Sequence, residues 1–114
     1  MDNNEEKSGL TPIIVSNSYI KKYYLDSRLD TLPKEVKDTL KIVFVKLTED
    51  VGGVLELVYD NNSYEVFTHI ARNDDDLAFD EINANYRLSR LEKEHEKLFT
   101  DIATFCKFKF NGLV

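Results

Sequence analysis

The chain has 114 residues, of which 42% are hydrophobic and 32% are charged, and its formal net charge is −6. A chain of this length forms one domain and can bury a core without the help of disulfides or a metal. The acidic balance argues against a nucleic-acid partner, because acidic proteins repel phosphate, and the single cysteine, Cys106, excludes an internal disulfide and a multi-cysteine metal site.

The sequence carries no signal for insertion into a membrane or for export. No apolar run approaches the roughly 18 residues that a membrane span requires. The first residues, MDNNEEKSG, are polar and acidic, whereas a secretory signal begins with basic residues and an apolar core. We therefore expect a cytoplasmic protein with no membrane partner.

The N-terminal part is predicted to contain a leader and then the start of the domain. Residues 1–11 are polar and acidic, with little to bury, and are expected to be disordered. The single domain would then span residues 12–114. Residues 12–15 are a proline followed by three β-branched residues, which leaves open a third strand at the edge of a sheet.

A short helix is predicted next, from a cap within residues 16–18 to about Leu25. Its tyrosines Tyr19, Tyr23 and Tyr24 recur at helical spacing, which indicates rings that pack on the core. A second helix begins at Pro33, a residue that suits the first turn. Its apolar face is formed by Val36, Leu40, Val43, Phe44, Leu47 and Val51.

The Gly52-Gly53 pair is expected to end the second helix, with one of the two glycines in the left-handed conformation. A β-hairpin follows. Residues 54–59 and 64–71 have β propensity and partial alternation, and the turn residues 60–63 lie between them. An isolated hairpin is marginal in water, so helices must cover it.

A long helix is predicted from near Leu77 to about Phe108, with the acids at 74–76 as its N-terminal cap. Asn111-Gly112 is the stop signal, although alternation within residues 105–110 leaves open an extended tail. The predicted fold class is therefore α+β, in the order short N-terminal helix, second helix, β-hairpin and long C-terminal helix.

The long helix carries an apolar seam with alternating spacings of 4 and 3, a 3.5-residue repeat typical of coiled coils. A helix of about 30 residues is roughly 45 Å long, more than a two-stranded hairpin can cover. Part of the seam must therefore meet the first helices or another copy of the protein. We expect an interaction surface there, with a homodimer through the C-terminal helix as one outcome. Its residues are Leu88, Leu91, His95, Leu98, Ile102 and Phe105.

Several short blocks of the sequence together resemble a family of short uncharacterised proteins from Gram-positive bacteria. The blocks are Asn17-Ser18-Tyr19, Lys22-Tyr23-Tyr24, Leu32-Pro33, residues 48–55 (TEDVGGVL) and Phe79-Asp80-Glu81-Ile82. The resemblance covers roughly residues 17–108, and its most specific part is the TEDVGG block followed by a strand. It implies a bacterial cytoplasmic protein, and it implies no activity.

No stretch predicts a catalytic, cofactor-binding or metal site. Glu92 and His95 form the E-x-x-H half of a di-iron motif, but it occurs once, within a charged helix face. The acids at 74–76 lack the order of a calcium loop. Cys106 lies among phenylalanines and is expected to be a buried, inert thiol, and His69 is expected to be a packing residue on a strand.

The sequence therefore favours a non-enzymatic module that binds a protein or associates with itself. The alternative is a small-molecule-binding or enzymatic domain with a pocket between hairpin and helices, lined by Tyr19, Tyr23, His69 and acidic residues. The sequence identifies neither partner nor ligand.

Overall fold

The computed structural model describes residues 9–113 and has a four-stranded antiparallel sheet with helices packed on one of its faces. The strand order is β2-β1-β3-β4. In chain order the elements are β1 (Leu10–Asn17), β2 (Lys22–Leu25), a 3-10 turn (Ser27–Leu29), α1 (Lys34–Val51), β3 (Val54–Asp60), β4 (Glu65–Ala71), α2 (Glu81–Glu94) and α3 (Glu96–Asn111).

The period-two alternation of the strands decides which side chains form the core. Leu55, Leu57 and Tyr59 of β3 point to the helices and are buried. Ile14 of β1 lies opposite Leu57 and is therefore on the same face. The intervening residues, such as Glu56, point to the other face of the sheet. The helices cover the first face with Leu40, Phe44, Leu47, Leu88, Leu91, Phe99, Ile102 and Cys106.

The predicted N-terminal helix is wrong. Residues 16–25 form the end of β1, a turn, and β2, and Tyr24 pairs with Val15 across the two strands. Asn17 does not cap a helix, because its side-chain oxygen accepts a hydrogen bond from the Tyr19 amide at 2.9 Å and so shapes the turn. The helical spacing of the tyrosines was misleading, since Tyr23 and Tyr24 belong to a strand and point to opposite faces.

The strand that the sequence left open at residues 12–15 exists, but it is not at the edge. It belongs to β1, which lies between β2 and β3 in the sheet. The predicted disordered leader falls mostly on residues 1–8, which lie outside the described residues. The chain is described from Gly9, and β1 begins at Leu10.

The single long C-terminal helix is also wrong. It starts at Glu81, not near Leu77, and it is divided into α2 and α3 at His95. The backbone of His95 has φ −120° and ψ 28°, outside the helical range, and caps the end of one helix and the start of the next. No glycine or proline occurs in the run EKEHEK. The sequence therefore gave no chemical sign of the break.

The break at His95 changes which residues face inward. Before it, Ala84, Leu88 and Leu91 are buried as the seam predicts. After it, the buried residues are Phe99, Ile102 and Cys106, so Ile102 keeps its predicted place, whereas the predicted Leu98 and Phe105 are only partly buried. Residues 105–110 are helical, and α3 ends with Gly112 in the left-handed conformation.

The second helix and the hairpin agree with the sequence. Helix α1 ends at Val51, where the Gly52 amide donates to the carbonyl oxygen of Thr48 at 2.8 Å. Both glycines, not one, have positive φ, 81° and 82°. Strands β3 and β4 pair along their whole length. Within the described residues, no helix is both long and apolar enough to cross a membrane.

Gly53 is the position where we expect alanine to be least tolerated. A Cβ there would lie 2.9 Å from the carbonyl oxygen of Ala71 and from the Phe79 ring, whereas at Gly52 the nearest atom is 3.8 Å away. Gly52→Ala should lower the free energy of unfolding by about 1–3 kcal/mol through backbone strain alone. Gly53→Ala should cost more, because the clash is added to the strain. Chemical denaturation of both variants measures which of them loses more stability.

Gly112→Ala is the control that measures backbone strain without a steric clash. Gly112 has φ 66°, and no atom lies within 4 Å of its added Cβ. It should cost about 1 kcal/mol. If Gly53→Ala and Gly112→Ala lowered the free energy of unfolding equally, the close contacts at Gly53 would contribute nothing to the cost of the substitution.

Candidate functional site

Three large apolar side chains that are close together in the sequence are exposed, in the connection from β4 to α2 and in the first turns of α2. Leu77 is 87% exposed, Ile82 is 85% exposed and Tyr86 is 59% exposed. Apolar side chains scattered singly on a surface are ordinary, but a contiguous group marks a contact surface. With the exposed acids around them (Asp74, Asp75, Asp80 and Glu81), we call these residues the acidic–apolar patch.

Helix α2 presents this patch because of where it begins. The carboxylate of Asp80 accepts a hydrogen bond from the Asn83 amide at 3.0 Å, which is the geometry of an N-terminal cap. Ile82 and Tyr86 are four residues apart and lie on one face of the helix. Ala84 and Leu88 occupy the buried face. The cap was predicted at residues 74–76, which lie before the helix and do not cap it.

The connection before α2 is anchored to the rest of the fold. The Tyr19 hydroxyl donates to the Asp76 carboxylate at 2.5 Å and accepts from the Asn73 amide at 3.2 Å. Desolvation and the bond to Asp76 raise the pKa of Tyr19, so it remains a donor at neutral pH. Arg72 donates to the carbonyl oxygens of Asn73 and Asp74. These bonds tie the loop that carries Leu77 to the turn between β1 and β2.

The side chains of the patch are acidic or apolar, but two arginines border it. Arg72 donates to the carbonyl oxygen of Asp74, and Tyr86 lies beside Arg90 and raises its pKa. Residues 73–86 contain five acids and no lysine or arginine. The next cation along the chain, Arg87, pairs with Asp50 of α1 at 2.9 Å and thereby lowers the pKa of that carboxyl. Within residues 9–113, no group of histidine, cysteine or acidic side chains is arranged to hold a metal ion.

Some residues of the predicted seam are buried in the core of this chain, and the others are only partly buried. Leu88, Leu91 and Ile102 are buried in the core of this chain. His95, Leu98 and Phe105 are partly buried, and the latter two pack against that core. The use of the seam as an interface with another molecule stays a prediction.

The other residues singled out in the sequence lie apart from one another. Tyr23 points to the helix side of the sheet, Tyr19 bonds to Asp76, and His69 lies on the opposite face, beside Glu56. Glu92 accepts hydrogen bonds from the amide and hydroxyl of Thr68 in β4. Cys106 is buried, as expected, and burial raises the pKa of its thiol to about 12.

Comparison with known proteins yields one match. The model of a family of unknown function, DUF6145, matches residues 11–113. The chain belongs to this family. No curated protein and no solved structure matches it. Membership in DUF6145 brings no activity with it, so the function of this DUF6145 chain must be argued from its own surfaces.

The patch was not predicted, although the sequence contains a signal for it. Ile82 and Tyr86 lie off the seam of the predicted helix, and the predicted start of that helix is near Leu77. Two large apolar residues four apart on the polar side of a helix indicate a second contact face. The true start of α2 at Glu81, which exposes Leu77 in the preceding loop, was not visible in the pattern.

The cap at Asp80 should control the stability of the patch. We expect Asp80→Ala to lower the free energy of unfolding by about 1 kcal/mol, because the Asn83 amide loses its acceptor. Asp80→Asn should keep most of the wild-type stability, because asparagine also caps helices well. Asp75→Ala is the matched control, because within residues 9–113 the Asp75 side chain makes no hydrogen bond. Thermal or chemical denaturation measures all three. Equal losses for Asp80→Ala and Asp75→Ala would contradict this assignment of the cap.

Proposed function

We propose that the protein is a non-enzymatic protein-binding module and that the acidic–apolar patch is its contact surface. The observation that carries the proposal is the exposure of Leu77 and Ile82, at 87% and 85%. Folding gains almost nothing from apolar side chains that remain in water. Burying either one against a partner would contribute about 1.5–3 kcal/mol.

The composition of the patch resembles the energetic centre of a protein interface. Such centres have a few apolar or aromatic anchors within a polar rim, and tyrosine is enriched among the anchors. Here Leu77, Ile82 and Tyr86 would be the anchors, and the surrounding acids the rim. The partner would offer an apolar groove bordered by lysine or arginine, because complementary charge accelerates association and excludes wrong partners.

The anchoring of the patch favours tight binding. The loop is tied by the Tyr19–Asp76 bond, and α2 is capped by Asp80. A surface that is ordered before binding loses less conformational entropy when the complex forms. Such a surface differs from a flexible acidic segment, whose ordering would oppose binding.

A second copy of this chain is not expected to bind to the patch through its own patch. Two patches brought face to face would set the four exposed acids of one copy against the four of the other, and like charges at an interface cost several kcal/mol, on the order of the gain from burial. A homodimer through the C-terminal helix is a separate proposal, because it uses the seam residues instead. Light scattering would detect it.

We also propose, from the resemblance of the TEDVGG region to proteins of Gram-positive bacteria, that this protein acts in a bacterial cytoplasm. A basic, apolar-grooved partner would then be another cytoplasmic protein.

A photo-crosslinking amino acid at position 82, compared with one at position 42, tests the proposal. Ile42 is the matched control, because it is 65% exposed on α1 and lies outside the patch. In cells, the crosslinker at 82 should capture one discrete protein that the crosslinker at 42 does not capture. With the purified partner, Ile82→Ser should then weaken binding by roughly tenfold or more, while Ile42→Ser should leave it unchanged.

The salt dependence supplies an independent result. The association rate should fall as ionic strength rises, because the acids steer a basic partner. The absence of a position-82 adduct, or equal effects of the two serine variants on binding, would contradict the proposal.

A further inference from the structure

A concave site lies between α1 and the turn that joins β1 to β2. The pocket has a volume of about 310 Å³. Three lysines line it, Lys21 and Lys22 from the turn and β2, and Lys41 from α1. The single acid in the lining is Glu49. The pocket therefore has a local charge of +2, in a chain whose net charge is −6.

These three lysines are among those that have no carboxylate partner within the described residues. Lys34 pairs with Asp38, and Lys97 pairs with Asp101. Within residues 9–113, no acid lies within ion-pair distance of Lys21, Lys22 or Lys41. Three ammonium groups around one cavity repel one another, and an anion bound between them would relieve that repulsion.

Two hydroxyl groups also line the pocket, and both already take part in hydrogen bonds within the protein. The hydroxyls of Ser16 and Thr48 lie 2.8 Å apart, and Thr48 also reaches the carbonyl oxygen of Val45 at 3.0 Å. The donors left for a ligand are the lysine ammonium groups and the hydroxyl of Tyr23, which is buried and has no hydrogen-bond partner within residues 9–113. Burial raises the pKa of Tyr23, a further lining residue, to about 12, so this tyrosine adds no negative charge near neutral pH.

The turn that carries two of the lysines is held in a defined shape. Lys21 has φ 54°, in the left-handed region that side chains other than glycine rarely adopt. The Ser18 amide and hydroxyl both donate to the carbonyl oxygen of Gly53, at 3.0 and 2.8 Å. Strained backbone that the surrounding structure maintains is common at ligand sites. On the other wall, the Lys41 ammonium lies 5.8 Å from the centre of the Tyr23 ring.

The geometry points to a binding site for a small phosphate-bearing molecule in the pocket formed by Lys21, Lys22 and Lys41. Lysine binds phosphate as a point charge and needs no fixed planar geometry, so three lysines that line one pocket suit a dianion. Glu49 at the rim would accept a hydrogen bond from a hydroxyl group of the same ligand. This site is separate from the acidic–apolar patch and goes beyond the proposed protein binding.

Calorimetric titration with inorganic pyrophosphate at low ionic strength is the direct test. The wild-type protein should bind it with a stoichiometry of one, and added salt should weaken the binding by screening. The double variant Lys22→Gln/Lys41→Gln should bind at least roughly tenfold more weakly, since two of three charges are removed. Circular dichroism melting confirms that the variant is folded.

Lys46→Gln is the matched control, because Lys46 is also on α1 but lines a different groove, with Arg87 and Arg90 of α2. It should leave pyrophosphate binding within about twofold of wild type. Loss of binding in the Lys46 variant but not in the double variant would assign the anion to the other groove and overturn the proposal. The same conclusion would follow if the wild type showed no binding of pyrophosphate up to about 10 mM, the range of weak ligands.

Discussion

The structure depends most on the close approach of several segments to Gly53. Its carbonyl oxygen receives two hydrogen bonds from Ser18, and its Cα lies so near the carbonyl oxygen of Ala71 that a side chain does not fit. The end of α1, the β1–β2 turn, the start of β3 and the end of β4 thus meet at one residue. Only glycine combines a φ of 82° with that approach.

Both proposed binding surfaces begin from this junction. On one side, Ser18 fixes the turn that carries Lys21 and Lys22 of the cationic pocket. On the other side, Tyr19 of the same turn holds Asp76, in the loop that exposes Leu77. An acidic contact surface and a basic pocket are therefore connected through one turn.

The sequence could predict those elements whose signals are local. The apolar face of α1, the glycine stop and the β3–β4 hairpin each follow from spacing or turn chemistry. The sequence did not predict β2, because Tyr19 and Tyr23 happen to have helical spacing. For β1 it left open only an edge strand at residues 12–15, because the pairing of β1 with β3 joins residues some 40 positions apart. The break at His95 has no local cause in the sequence. The patch could have been found from Ile82 and Tyr86, whereas the pocket needed the fold to bring Lys41 to the turn.

Residue-resolved amide hydrogen exchange of the wild type and Gly53→Ala tests the central claim, that one junction holds both surfaces. In the variant, the amides of Ser18 and Asn73 should lose protection together, because the first donates to Gly53 and the second to Tyr19 of the same turn. The amide of Phe99, at the start of α3, should keep its protection relative to global unfolding. Wild-type protection at Ser18 and Asn73 in the variant, or the loss of only one of the two, would contradict the claim.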